Sequence, residues 1–170
     1  MNILQITPGA GGMYCGACFR DNALVGSFRR MGHSATLLPL YLPMTLDEPD
    51  QTRGAPILFG GINVYLEDKS ALFRRLPRFL TKWLDAPKLL KWTGKFASRT
   101  RPEDVGDLTV SMLKGEDGNQ AQELDQLLSW LETQGRPDVI NISNVLLIGL
   151  VRRLRKELDI PVVATLQGED

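Results

Sequence analysis

The chain has only two cysteines, Cys15 and Cys18, and a single histidine, His33. Two thiols three positions apart make no disulfide framework, so the chain reads as intracellular. Two thiols and one imidazole are also too few for a zinc site, and no metal is expected. No apolar run approaches the roughly 18 residues needed to span a bilayer. The N-terminus enters an apolar segment at once, without the charged and apolar regions of a signal peptide. Net charge is missing as well. Twenty Lys+Arg balance twenty Asp+Glu, so the global charge names no partner. What remains is 170 residues with 43% hydrophobic and 24% charged content, enough for one domain with a single core.

The most informative stretch is Thr7 to Asn22, TPGAGGMYCGACFRDN. It follows the apolar Ile3-Leu4-Gln5-Ile6 and precedes an amphipathic run ending at Met31-Gly32-His33. A strand, a glycine-rich turn and a helix together can aim backbone N–H groups and a helix N-terminus at an anion. Gly9, Gly11 and Gly12 leave room for a ligand, and three glycines exceed what a turn needs. Residues 2–6 read as a buried parallel strand. A helix is expected from about Ala17 to Met31, with Phe19, Leu24, Phe28 and Met31 on one face and Gly32 as its stop. Ala35 to Leu40 is a second strand, which makes a βαβ unit. Leu42 to Ala55 reads as loop. Pro56–Phe59 and Ile62–Leu66 flank Gly60-Gly61 as a hairpin.

Residues 70–115 change character. Leu72, Phe73, Leu76, Phe79, Leu80, Trp83 and Leu84 mark a helical face, with a break at Pro77. Pro87 and Pro102 each suit the first position of a further helix, the second with Val105, Leu108, Met112 and Leu113 inward. Asn119 to Gln134 reads as a helix stopped by Gly135 and Pro137. Asp138–Ile142 is a buried strand, Ser143 or Asn144 can cap a helix over 145–158, and Pro161–Leu166 is a strand again. The order implies an α/β fold: a doubly wound, mostly parallel Rossmann-like sheet with a helical, basic insert over about 70–115. The chain stops at the carboxyl end of a strand with no covering helix, so a fragment of a longer protein is expected.

With these elements placed, GAGGMYCGACFRDNALVGSFRRMGHSATLLPLY resembles the opening of retaining GT-B glycosyltransferases of family 4 and of glycogen and starch synthases. Gly60–Leu66 is similar to the hairpin that follows in the synthases. Arg136–Ile142 resembles the family's Pro-Asp-Val-Ile-His strand, and Pro161–Glu169 its Pro-Val-Val-Thr-Val-His-Gly segment. The resemblance covers most of the chain outside about 67–118. It implies that residues 1–170 are the N-terminal, acceptor-side part of a GT-B fold. The donor domain, with its paired glutamates, is absent from the chain, so the isolated chain should be inactive. The full protein would transfer a sugar from a nucleotide-sugar to a sugar or lipid-linked acceptor with retention, without a metal or other cofactor.

By the same resemblance, Gly11, Gly12 and Met13 form the donor diphosphate loop, and Gln167 stands where the family has a histidine beside the transferred sugar. Gln167 can hydrogen-bond a hydroxyl but cannot be a cation. The lysine that the synthases carry two residues before the glycine pair is Gly9 here. Arg20, Asn22, Ser143, Asn144, Glu169 and Asp170 fall on the acceptor side. Arg20 can face an anion. Helix capping explains Ser143 and Asn144 equally well, and a favourable place near the helix dipole explains Asp21.

Three other readings compete. Cys15-Gly16-Ala17-Cys18 at a helix start invites a thioredoxin-like redox role, but no thioredoxin motif follows a triple-glycine loop. A dinucleotide fingerprint lacks its third glycine, since Tyr14 stands there, and the acid after the second strand is missing. A non-enzymatic reading rests on charge. Ten of the twenty basic residues fall in Lys69–Arg101, interleaved with Phe79, Trp83, Trp92 and Phe96 and opposed only by Asp85. Such a stretch can lie on an anionic membrane, at its cytoplasmic face, or be an ordinary solvated helical face. Nucleic acid is not expected, because no binding module accompanies it. An uncovered last strand is compatible with a homodimer.

Overall fold

The computed structural model describes residues 1–60, residue 66 and residues 102–166. The element order is β1 (Asn2–Thr7), α1 (Gly16–Arg30), β2 (Ser34–Pro39), α2 (Pro102–Lys114), a 3-10 turn (Gly115–Asp117), α3 (Ala121–Gln134), β3 (Val139–Ile142), a 3-10 turn (Val145–Ile148), α4 (Gly149–Leu158) and β4 (Val162–Ala164). The basic stretch 69–101 lies outside the described residues. Among the described residues, no helix is long and apolar enough to cross a membrane.

The four strands form one parallel sheet in the order β2-β1-β3-β4. Its two faces carry separate cores. On one, Ile3 and Leu37 meet Cys18 and Val25 of α1. On the other, Leu4, Ile6, Ile140 and Ile142 meet Leu124, Leu127 and Leu131 of α3 and Leu150 and Leu154 of α4. Alternate residues of β1 thus feed opposite faces, as a strand's two-residue period requires, and each face is covered by helix. The chain builds leftward from β1 to β2, then returns to the other side of β1 for β3. The reversal lies between β1 and β3, where open α/β sheets place ligands beyond the carboxyl ends of their strands.

Local details depart from expectation in four places. Pro56–Phe59 is not a strand. Phe59 instead plugs the main core, fully buried, its ring 5.6 Å from that of Tyr41 in an edge contact. Its N–H donates to Leu40 O just past β2. Of the partner segment Ile62–Leu66 of the expected hairpin, residues 62–65 lie outside the described residues. The helix expected over 145–158 is a 3-10 turn followed by α4. Gly149 sits at the join, where the absence of a Cβ lets the backbone of Met112 and Gly115 approach. In α2, Leu108 and Met112 pack inward, but Leu113 is exposed. In α1, Met31 is exposed, and the buried face is Cys18, Asp21, Asn22, Val25 and Gly26, two of them polar.

Gly135 ends α3 at φ +86, a conformation that suits a residue without Cβ. On α4, Arg153 reaches Glu116, Asp125 and Glu157, tying the helix to the 3-10 turn and to α3.

Candidate ligand site at the carboxyl end of the sheet

The glycine turn leaves β1 at Thr7 and runs beside the loop that leaves β2. Leu40 N–H donates to Thr7 O, and Tyr41 and Leu42 N–H both donate to Pro8 O. Gly9 has φ +77, and a Cβ there would run into the Leu42 carbonyl. Gly11 has φ +63; its N–H donates to Pro43 O at 2.8 Å and its carbonyl accepts from Thr45 Oγ1 at 2.6 Å. Two of the three glycines are therefore required by the turn itself, which leaves Gly12 as the one beyond its needs. Gly12 and Met13 are exposed. The Met13 N–H closes the turn onto Ala10 O, whereas the Gly12 N–H has no hydrogen bond among the described residues.

Helix α1 begins four residues later. Cys15 is extended and its side chain caps nothing, so the first-turn N–H groups have no side-chain acceptor. Gly16 faces open space. Tyr14 stands exposed beside this opening, stacked on Phe19 at 5.9 Å. The turn thus offers an anion the Gly12 N–H and the positive end of a helix. Ala10 N–H and Gly11 N–H are already spent on Pro43 O.

Across the reversal, Ser143 follows β3 directly, and its N–H donates to Ile6 O. Its side chain is fully buried, and its Oγ has no partner. Asn144 caps the following 3-10 turn through Oδ1, which accepts from Leu146 N at 2.8 Å. Thr7 ends β1 beside Ser143. It too is fully buried; its hydroxyl lies by the Cys18 thiol without meeting hydrogen-bond geometry. Deeper in the sheet, Asn141 Nδ2 donates to Gln5 Oε1 at 2.8 Å and Asn141 Oδ1 accepts from Thr165 Oγ1 at 3.3 Å. Gln5 Nε2 is left over. Three strands thus place amides and hydroxyls at the point where the sheet reverses.

Arg20 and Asp21 form an ion pair at 2.7 Å, with Arg20 partly exposed and Asp21 fully buried. The second Asp21 oxygen has no partner. Asp21 is therefore an interior carboxylate on the buried face of α1, beyond the helix's first turn, rather than a surface acid placed for the dipole. Asn22 is buried and engaged twice: Nδ2 donates to Pro49 O at 3.1 Å, and Oδ1 accepts from Gln51 N at 2.9 Å. It pins the 49–51 loop to α1. Burial, above all, pushes the Cys18 thiol up to about 12; the neighbouring Cys15 thiol and the Asp21 carboxylate push the same way. A thiol so placed is a poor nucleophile. Both cysteines are free thiols. Among the described residues, no group of three or more His, Cys, Asp or Glu side chains could hold a metal ion.

Gly11, Gly12, Met13, Arg20, Ser143 and Asn144 thus fall around one end of the sheet, and Asn22 serves the loop beside it. Gln167, Glu169 and Asp170 lie outside the described residues. From the sequence, Gln5 and Thr7 have no part in a site, and Asp21 is placed by the helix dipole alone. The available signal was two polar residues, Gln5 and Thr7, alternating along an otherwise apolar strand on the face that α1 covers. No protein-family model, curated protein or solved structure matches the chain.

Proposed function

We propose that the chain is the acceptor-side Rossmann-like part of a retaining GT-B glycosyltransferase that takes a nucleotide-sugar. The observation that carries this reading is the coincidence of the exposed Gly12 N–H, the uncapped start of α1 and the Ser143-Asn144 corner at the reversal between β1 and β3. Open parallel sheets bind phosphorylated ligands at such a point. In this reading, Gly12 and the first turn of α1 face the donor diphosphate, and Arg20 adds positive charge nearby. Gln167 faces the transferred sugar, Glu169 and Asp170 take acceptor hydroxyls, and stretch 69–101 docks the protein on an anionic, cytoplasmic membrane face. The nucleotide itself would be held by a second domain.

The test uses the chain joined to a second Rossmann-like domain encoded after it in the same reading frame. The joined protein, offered nucleoside diphosphate sugars one at a time, should release nucleoside diphosphate with at least one. A bulky Gly12→Val change should lower that release by tenfold or more without unfolding the protein. The 170-residue chain alone should release none. Sugar transfer by the isolated chain, or the absence of such a domain from the reading frame, overturns the reading. The latter result would favour a ligand-binding module without catalysis.

A further inference from the structure

At the opposite, amino end of the sheet, beside edge strand β2, lies a cavity of about 390 Å³ whose lining includes Arg29, His33, Ser34, Thr52, Arg53 and Trp130. None of its described lining residues is acidic. Arg29, in α1, is held rigidly. Its Nε and Nη2 donate to Ala35 O, and its Nη1 donates to Gln51 O and Gln51 Oε1. That commits four of its five N–H groups and leaves one on Nη2. Arg53 enters from the β2 loop with φ +51, the left-handed region, and has no ion pair or hydrogen bond among the described residues. Its charge and burial both lower the Arg29 pKa, burial more strongly, so the two guanidiniums feel each other. The nearest acid in sequence, Asp50, is turned to the Thr52 N–H at 2.7 Å. His33 packs edge-on against Phe28 at 6.5 Å and has no side-chain hydrogen bond among the described residues.

Two guanidiniums held around one cavity repel one another unless an anion joins them. The cavity is large enough for a small ligand, and Trp130 gives it one flat apolar wall. We propose that this cavity binds a phosphorylated small molecule, its phosphate between Arg53, the remaining Arg29 N–H and His33, with the Ser34 and Thr52 hydroxyls as further donors. Arg29 supplies a fixed fork, and Arg53 supplies a charge without a partner among the described residues. The site lies at the other end of the sheet from the glycine turn and does not depend on the glycosyltransferase reading.

The probe is inorganic phosphate, titrated calorimetrically into the 170-residue chain at low ionic strength, where surface charges are least screened. Saturable binding to one site is expected. Arg53→Gly should weaken it at least tenfold, and Arg53→Lys should restore part of the loss. Glycine accepts the left-handed backbone at this position, so the fold is not strained by the change; unchanged urea midpoints will confirm that. Absence of saturable binding by the unmodified chain overturns the proposal. So does phosphate binding of equal strength in Arg53→Gly, which would place the anion elsewhere.

Discussion

Replacing Gly9 with alanine tests whether the glycine turn is built by its own packing. The backbone there has φ +77, and a Cβ would collide with the Leu42 carbonyl. Holding an L-residue in the left-handed region costs about 1–2 kcal/mol. Making room for the methyl against a backbone atom costs a further ~1–3 kcal/mol, as overpacking does elsewhere. The sum is roughly 2–5 kcal/mol. The alternative is for the loop to retreat, and that is no cheaper. It would break the Ala10 and Gly11 N–H bonds to Pro43 O and strip Thr45 Oγ1 from Gly11 O. Three such bonds at about 0.5–1.5 kcal/mol each fall in the same range.

The assay is urea denaturation followed by tryptophan fluorescence, with Gly16→Ala as the control. Gly16 has ordinary backbone angles and open space where a Cβ would go, at the start of α1. Alanine there should change stability by less than ~1 kcal/mol, in the favourable direction. Gly9→Ala should lose at least 2 kcal/mol with little change in the denaturant slope. A loss below ~1 kcal/mol for Gly9→Ala would refute the packing argument and return Gly9 to the role of a clearance for ligand.

Three further outcomes follow from the same geometry. Phe59→Ala empties the plug beside Tyr41 and should cost about 3–5 kcal/mol in the same urea assay; a loss under 1 kcal/mol would mean that Phe59 is not core. Cys18 and Tyr41 are both pushed up by burial, so both favour the folded chain while neutral. For Cys18 that stabilisation is complete below its ordinary value of 9.0 and is lost as pH rises toward about 12. The fold should therefore weaken above pH ~9 through Cys18 and above pH ~10 through Tyr41 as well, by up to ~1.4 kcal/mol per pH unit for each group, and urea midpoints that hold steady or rise between pH 9 and 11 would contradict this. Ser143 Oγ is buried without a partner, so Ser143→Ala should leave stability unchanged or raise it slightly; a loss beyond ~1 kcal/mol would show that the hydroxyl is hydrogen-bonded after all.

Much of the fold was legible in the order of residues. The β1–α1–β2 unit, the loop after it, α3 ending at Gly135 and strands β3 and β4 all follow local patterns. Apolar runs of four to six residues make the buried strands β1, β2 and β3, whereas β4 is only three residues long, shorter than the expected Pro161–Leu166, and mostly exposed; a glycine with positive φ stops a helix. The Asn144 cap is equally local, since its side chain needs only a backbone N–H two residues on. The place of Pro56–Phe59 was not legible. Two apolar runs around a glycine pair also suit a segment that drops one aromatic into a core, and only the neighbouring Tyr41 and Leu40 decide that Phe59 does so.

For the candidate site, the sequence determined that a glycine turn joins the first strand to the first helix, and that polar residues follow the third strand. Tertiary structure decided what they do. The loop at Leu42–Thr45 uses up Gly9 and Gly11, because a backbone N–H or a missing Cβ can serve a neighbouring strand as readily as a ligand. Helix packing turned Asp21 inward and Asn22 onto the 49–51 loop, where helical periodicity had put apolar residues. Arg29, His33 and Arg53 are up to 24 positions apart, and only the fold of the β2 loop back onto α1 brings these side chains around one cavity. Local pattern sets which elements form; long-range contacts set which of their polar atoms are left without a partner.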